Sequence, residues 1–269
     1  MCEINSLCSP TLLVLMLVIF GAVIGSFLNT VIYRFPLMKG IEKKTLPFKR
    51  FNLLVPRSHC RKCHSFIPLY HNIPIISFCL LRGKCLSCKK KINFQYPFIE
   101  ILSSLLCLWL FLIMGNFSLF VFFYFFSCCL LVLAFIDLKY QTLPNEITYP
   151  LIGLGLAMNL WTEFIPILDS VYGCLGGYLF ILAIEKLYFF IRNKHGIGRG
   201  DAKLLAGIGS WLGWHPLAFI LLLSCLLSLC GYFMLKVITK KRFKDFFNQA
   251  VPFGPSLACS SILFITYFK

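Results

Sequence analysis

Two aspartates are the residues most able to do chemistry in this chain of 269 residues. Asp137 sits in "LVLAFIDLKYQTLPNEIT" and Asp201 in "GIGRGDAKLL", each at the edge of a long apolar run. With ten acidic residues against 26 basic ones, a carboxylate in such a place is conspicuous. At the C-terminal end of an apolar helix Asp137 would face the negative end of the helix dipole near hydrocarbon, so something must offset its cost. Asp201 follows Gly196, Gly198 and Gly200 and opens the next apolar segment. Taken alone it also reads as a helix N-cap. Taken together, the two imply a reaction. Two carboxylates held close in a partly desolvated place cannot both ionise easily; one keeps a proton while the other draws one from water, and that water can attack a peptide carbonyl. The glycines would then let a substrate backbone approach the acid.

A second set carries different chemistry. "CRKC" at Cys60 and Cys63 and "CLSC" at Cys85 and Cys88 are two C-x2-C pairs separated by 21 residues. Two turn-borne thiolate pairs can surround a tetrahedral ion, and zinc is the natural occupant. A zinc held by four thiolates has no open position, so the expectation is a folding role and not catalysis. His59 and His64 flank the first pair and are not taken as ligands. Most of the other ten cysteines lie in apolar stretches, where Cys behaves as a small hydrophobe.

The elements that must position these groups follow from composition. Hydrophobic residues make up 59% of the chain and charged residues 13%, against about 25% charged in soluble proteins. This is the balance of an all-α polytopic membrane protein. Apolar runs near 11–32, 97–114, 118–136, 146–162, 170–191, 202–214, 216–236 and 251–268 predict about eight transmembrane helices. The count is seven if the short sixth and the seventh are one, since only "GWHP" separates them. The first run lacks a basic start and a cleavage site, so it reads as a retained helix and not a signal peptide. Three regions result: a first transmembrane helix over 1–33, a zinc-binding loop over 34–95, and a transmembrane helical core over 96–269. The loop holds 14 of the basic residues, and basic loops stay cytoplasmic, which puts the N-terminus outside. The basic excess is thus explained by topology and anionic lipid headgroups, with no nucleic-acid partner.

With these blocks in view, the chain resembles the type IV prepilin peptidases, also called leader peptidase/N-methyltransferases, of the GxGD class of membrane aspartic proteases. The resemblance rests on "GSFLNTVIYRFP", "RSHCRKC" with "HNIPIISFCLLRGKCLSC", "YPFIE", "FIDLKYQTLPNEIT" and "GIGRGDAKLLAGIGSWLGW", in the family's order along nearly the whole chain. It implies catalytic aspartates at Asp137 and Asp201, a supporting loop with Gly198, Gly200 and Lys203, and zinc on Cys60, Cys63, Cys85 and Cys88. It also implies prepilin or pseudopilin substrates in the bacterial inner membrane, cut on the cytoplasmic side after a glycine. Methylation of the new N-terminus with S-adenosylmethionine is implied too, with Glu100 similar to a glutamate of the methyl-transfer half. A plain alternative for Glu100 is a helix-start acid favoured by the dipole. The chain departs from the family's usual pattern at His71, Gln95 and Asn145. Two other classes stay open at this point: a proton-coupled transporter, because carboxylates in membrane helices mark ion paths, and a non-catalytic scaffold of a pilus or secretion machine.

Overall fold

A computed structural model of the chain describes residues 9–42, 51–193, 198–239 and 252–267. Among these residues there are helices and no strands beyond two isolated bridges. The helices are α1 (Pro10–Met38), the short α2 (Ile76–Leu80), α3 (Gln95–Ile113), α4 (Phe117–Tyr140), α5 (Asn145–Thr162), α6 (Ile167–Arg192), α7 (Arg199–Leu212), α8 (Leu217–Thr239) and α9 (Gly254–Tyr267). A helix lies at each of the eight expected positions. Five of the described helices, α1, α3, α4, α6 and α8, are long and apolar enough to cross a membrane. At 14 residues, α7 reaches only about 21 Å and is too short to cross alone. The break at "GWHP" is real: α7 stops at Leu212 and α8 starts at Leu217.

The chain divides into two compact units, Met1–Tyr124 and Phe125–Lys269, with the boundary inside α4. In the first unit α1 packs on α3 along a stripe of small residues. A Cβ on Gly21 would lie 2.5 Å from the Ser104 Cα, and one on Gly25 would lie 2.7 Å from the Glu100 Cα. Spacing of four residues puts Gly21, Gly25 and Asn29 on one face of α1, the small-xxx-small arrangement that lets membrane helices touch backbone to backbone. Polar groups close the same seam: the Ser104 hydroxyl donates to the Val18 carbonyl at 3.0 Å, and Asn29 Nδ2 donates to the Tyr96 carbonyl at 3.0 Å. Helix α1 runs five residues past the expected limit at 33, through Pro36. The reason is Arg34, which is buried and donates to the carbonyls of Asn52, Leu53 and Pro56, so this turn is held by the loop it faces.

The second unit is built around α7, whose residues from Ala202 to Leu212 are nearly all buried with Lys203 as the exception. Helix α6 meets it at a glycine crossing, where a Cβ on Gly173 would lie 2.5 Å from the Gly209 carbonyl oxygen. Trp211 of α7 stacks on Phe126 with ring centres 4.8 Å apart, and its indole N–H donates to the Leu151 carbonyl at 2.8 Å. Buried Asn159 of α5 donates to the Ser210 carbonyl at 3.0 Å. With its interior polar groups bonded in this way, α7 offers its N-terminal turn as a fixed platform.

Candidate functional site

Asp137 lies in the last turn of α4 and is 5% exposed. The offset that its position demands comes from α9. The Gly254 backbone N–H, at the start of that helix, donates to Asp137 Oδ2 at 2.9 Å. Helix N-termini present free N–H groups and a positive dipole end, which together favour a carboxylate. A Cβ on Gly254 would lie 2.7 Å from the same oxygen, so this position excludes any other residue without displacing the acid. Gly254 was not singled out from the sequence. The signal that could have found it is "FGP", a glycine and proline at the head of an apolar run, the usual opening of a helix.

Asp201 occupies the third position of α7, half-buried. It is not the N-cap: that place belongs to Gly198, and no side chain caps the helix. Asp201 is therefore a first-turn acid of α7 and not its N-cap residue. Asp201 is pushed up to about 7, first by burial and then by the charge of Asp137, with a hydrogen bond from the Gly198 backbone opposing both. The electrostatic influence of Asp137 on Asp201 is the mark of two acids sharing one small region.

The supporting residues divide. A Cβ on Gly198 would lie 3.4 Å from Asp201 Oδ2, in ordinary contact with the acid. A Cβ on Gly200 would instead lie 3.0 Å from the Leu143 Cβ. Gly200 thus lets the "TLPN" turn close onto α7, and does not face an open approach to the acid. Lys203 Nζ donates to Asn145 Oδ1 at 2.7 Å and lies over the Tyr149 ring at 5.0 Å. It ties α7 to the start of α5. Gly196 lies outside the described residues.

In the first unit the sulfurs of Cys60, Cys63, Cys85 and Cys88 all lie within 4.8 Å of one another, a group that can hold a metal ion. Two copies of one turn create it. Cys60 N–H donates to the Ser65 carbonyl and Cys85 N–H to the Lys90 carbonyl, each at 2.9 Å and each five residues on. His64 and Lys89, each directly after a second cysteine, share the left-handed conformation at φ 58 and 56. Isolated bridges His59 to Phe66 and Lys84 to Lys91 close the two turns identically. This internal repeat was missed in the sequence because only the cysteines match between "HCRKCHSF" and "KCLSCKKK". Burial pushes the Cys60 thiol up to about 11, while the Ser65 hydroxyl at 3.0 Å from the Cys63 sulfur holds that thiol down to about 6. Backbone hydrogen bonding, first from Cys88, lowers Cys85 as well, so both of these thiols are biased toward the thiolate, the form that binds metals. Arg61, inside the first pair, stacks over Tyr33 at 3.9 Å and Tyr96 at 4.5 Å, which fastens this turn to α1 and α3.

Beside the cysteine turns lies a cavity of about 780 Å³, lined among others by Asn29, Tyr33, Ser77, Tyr96 and Glu100. Glu100 is the sixth residue of α3, beyond its first turn, so the dipole reading does not account for it. It is 6% exposed, and one oxygen accepts the Ile75 backbone N–H at 2.8 Å.

The chain matches known proteins along most of its length. The profile of the Bacterial Peptidase A24 N-terminal domain covers residues 19–114, and that of the Type IV leader peptidase family covers residues 124–233. A prepilin leader peptidase/N-methyltransferase from Neisseria gonorrhoeae is 36% identical over 92% of this chain and 88% of its own length. Proteins of the same name from Pseudomonas putida and Legionella pneumophila are 35% and 33% identical. The first of these pairs covers 93% of this chain and 88% of the relative, the second 94% and 91%. No solved structure matches the chain. Profiles over both halves, and relatives matched nearly end to end, establish that the chain belongs to the type IV leader peptidase family.

Proposed function

We propose that this protein is a bacterial inner-membrane prepilin leader peptidase, an aspartic endopeptidase that also methylates the N-terminus it creates. The observation that carries the peptidase half is the pairing of Asp201, raised to about 7, with an Asp137 whose carboxylate is held by the Gly254 N–H. Near neutral pH such a pair shares one proton. The ionised carboxyl takes a proton from water as that water attacks the scissile carbonyl, the protonated one donates to the carbonyl oxygen, and the two exchange roles as the amine leaves. The substrates are prepilins or pseudopilins, whose basic leader is removed where an apolar helix begins. The amino terminus faces outward, the cysteine loop is cytoplasmic, and the lipid bilayer surrounds the helices. The family gives no support to a transporter or a scaffold.

The four thiolates fit zinc. Sulfur pairs at 3.9 and 4.0 Å match the edge of a tetrahedron with metal to sulfur bonds of about 2.3 Å, which is about 3.8 Å. Zinc would be held by Cys60, Cys63, Cys85 and Cys88 and would fold residues 51–94 without entering the chemistry. S-adenosylmethionine would supply the methyl group, and the cavity beside Glu100 is large enough to receive such a ligand.

Incubating the purified protein in detergent with a prepilin substrate, with and without S-adenosylmethionine, tests both halves at once. The expected products, read by mass spectrometry, are a leader cut after its glycine and a mature chain heavier by one methyl group. An intact substrate would refute the peptidase reading, and a cleaved but unmethylated chain would refute the methyl-transfer reading.

The pH profile follows from the sign of the Asp201 shift. Its proton is present below about 7 and lost above it, so cleavage needs the acidic side of that value. The rate is expected to fall as pH rises through about 7. A rate unchanged from about pH 6 to about pH 9 would show that the reaction does not use that proton.

A further inference from the structure

We propose that residues 72–81, "NIPIISFCLL", form a re-entrant segment whose exposed apolar side chains lie in the lipid bilayer, so that the loop between α1 and α3 is anchored to the membrane by its own middle. The inference rests on α3 being a membrane span and on neither enzymatic activity.

Depth along α3 carries it. This helix has 19 residues and is about 28 Å long, against about 30 Å of hydrocarbon, and polar Gln95 and Asn116 bound its apolar stretch. It has no turn to spare outside the bilayer. Glu100 is the fifth residue after Gln95, about 7.5 Å inside that limit. The Ile75 backbone N–H donates to Glu100 Oε2 at 2.8 Å, which holds Ile75 at the same depth. The segment then comes out again: the Ile92 N–H donates to the Gly83 carbonyl at 2.8 Å, and Ile92 precedes the first residue of α3. Between these two markers the Phe78 ring meets the Phe94 ring edge-on, with centres 6.3 Å apart.

An uncharged, mostly apolar run of this length is too short to span, and suits either a buried helix or an interfacial one. Exposure decides between these. Ile76 and Leu80 of α2 stand one turn apart on one face and are 55% and 70% exposed, and Ile73 is 47% exposed. Ser77 is buried and Phe78 turns toward Phe94, so the protein covers the other face. At the depth of Glu100 the medium that the open face meets is lipid.

The backbone meets the condition that lipid imposes, which is that its polar groups find partners inside the protein. The N–H groups of Ile76, Ser77, Cys79 and Leu81 donate to the carbonyls of Pro74, Ile73, Ile75 and Ser77, and that of Ile75 goes to Glu100. Ile75 reaches this arrangement at φ 61 and ψ −53, a strained γ-turn that a β-branched residue adopts rarely. The turn aims its N–H at Glu100.

The flanking charges suit headgroups. Arg82, Lys84 and Lys91 are exposed where the segment leaves, with Lys84 and Lys91 joined by an isolated bridge, and the sequence has no acidic residue between Glu42 and Glu100. Long basic side chains at that level reach lipid phosphates while their stems stay on apolar surface.

Photolabelling the wild-type chain tests the segment without a variant. The protein is reconstituted in vesicles of phosphatidylcholine and phosphatidylglycerol doped with a phosphatidylcholine carrying a diazirine on its acyl chain, then irradiated, digested and read by mass spectrometry. Label is expected on residues 72–81 and on the exposed Leu105 and Leu112 of α3, and at least about fivefold less on the cysteine turns at 60–65 and 85–90. Ile76→Asn combined with Leu80→Asn changes two exposed side chains and should cut the label on 72–81 about fivefold or more, with zinc content and α3 label unchanged. Residues 72–81 unlabelled while α3 is labelled would overturn the proposal, whether water or a second copy of the chain covers them. Equal label on the cysteine turns, or undiminished label in the double variant, would overturn it as well. If that variant does not hold zinc, the wild-type labelling decides alone.

Discussion

Asp201→Asn protein, purified in detergent, should cleave a prepilin substrate at least about a thousandfold more slowly than wild type, and Asp137→Asn should do the same. Asparagine keeps the volume and the acceptor of the acid, so Gly254 N–H can still bond position 137 and α7 still begins at Arg199. What it removes is the exchangeable proton. The two losses should not add, because a pair that works as one acid and one base is already disabled when either member is gone. Asp137→Asn carries a second readout: without its charge the carboxyl of Asp201 should titrate below its present value of about 7, since that charge is one of the two causes that raise it. Gly254→Ala offers the control from the other direction, with both acids intact. Its Cβ would stand 2.7 Å from Asp137 Oδ2, so cleavage should fall although no proton has been removed. Cleavage by both asparagine variants at the wild-type rate, with unchanged melting temperature, would reduce the two acids to structural groups.

Much of this site was legible in the sequence because it depended on local spacing. C-x2-C repeated after 21 residues needs no knowledge of the fold, and the four sulfurs do converge. Apolar runs located the helices, and proline at 216 marked a true break, since both are properties of contiguous residues. What stayed hidden was long-range. Gly254 is 117 residues from Asp137, and nothing near either residue states that the N-terminus of one helix meets the C-terminus of another. Gly200 illustrates the opposite error. A glycine beside an acid suggested room for substrate, yet the space is filled by Leu143, whose position is fixed by the turn after α4. Lys203, placed in the supporting loop by the family resemblance, bonds Asn145, one of the positions at which the chain departs from its family. The extension of α1 to Met38 depended on Arg34 finding carbonyls at 52–56, a contact that periodicity does not encode.

Replacing Cys63 and Cys85 by serine should remove about one zinc per chain, make residues 51–94 sensitive to protease, and abolish methylation while cleavage persists. The physical reason lies in how little else holds that segment. It has one five-residue helix, a three-residue 3₁₀ turn and two isolated bridges, which is too little regular structure and too small a core to fold unaided. Four thiolates on a metal would supply the missing cohesion, because structural zinc contributes on the order of 10 kcal/mol to domains of this size. Losing it should free Arg61 from Tyr33 and Tyr96, and with it the wall of the cavity that contains Glu100. Methyl transfer, on the proposed assignment, needs that wall. Cleavage, on the same assignment, needs Asp137, Asp201 and Gly254, all within Phe125–Lys269. Zinc content by mass spectrometry, limited proteolysis, and the masses of the product chains separate these effects in one sample. A chelator strong enough to strip wild-type protein should reproduce the serine variant. If metal-free protein stays protease-resistant and methylates normally, zinc does not hold the loop. If cleavage is lost in step with zinc, the division of the two activities between the cysteine loop and the aspartate pair is wrong.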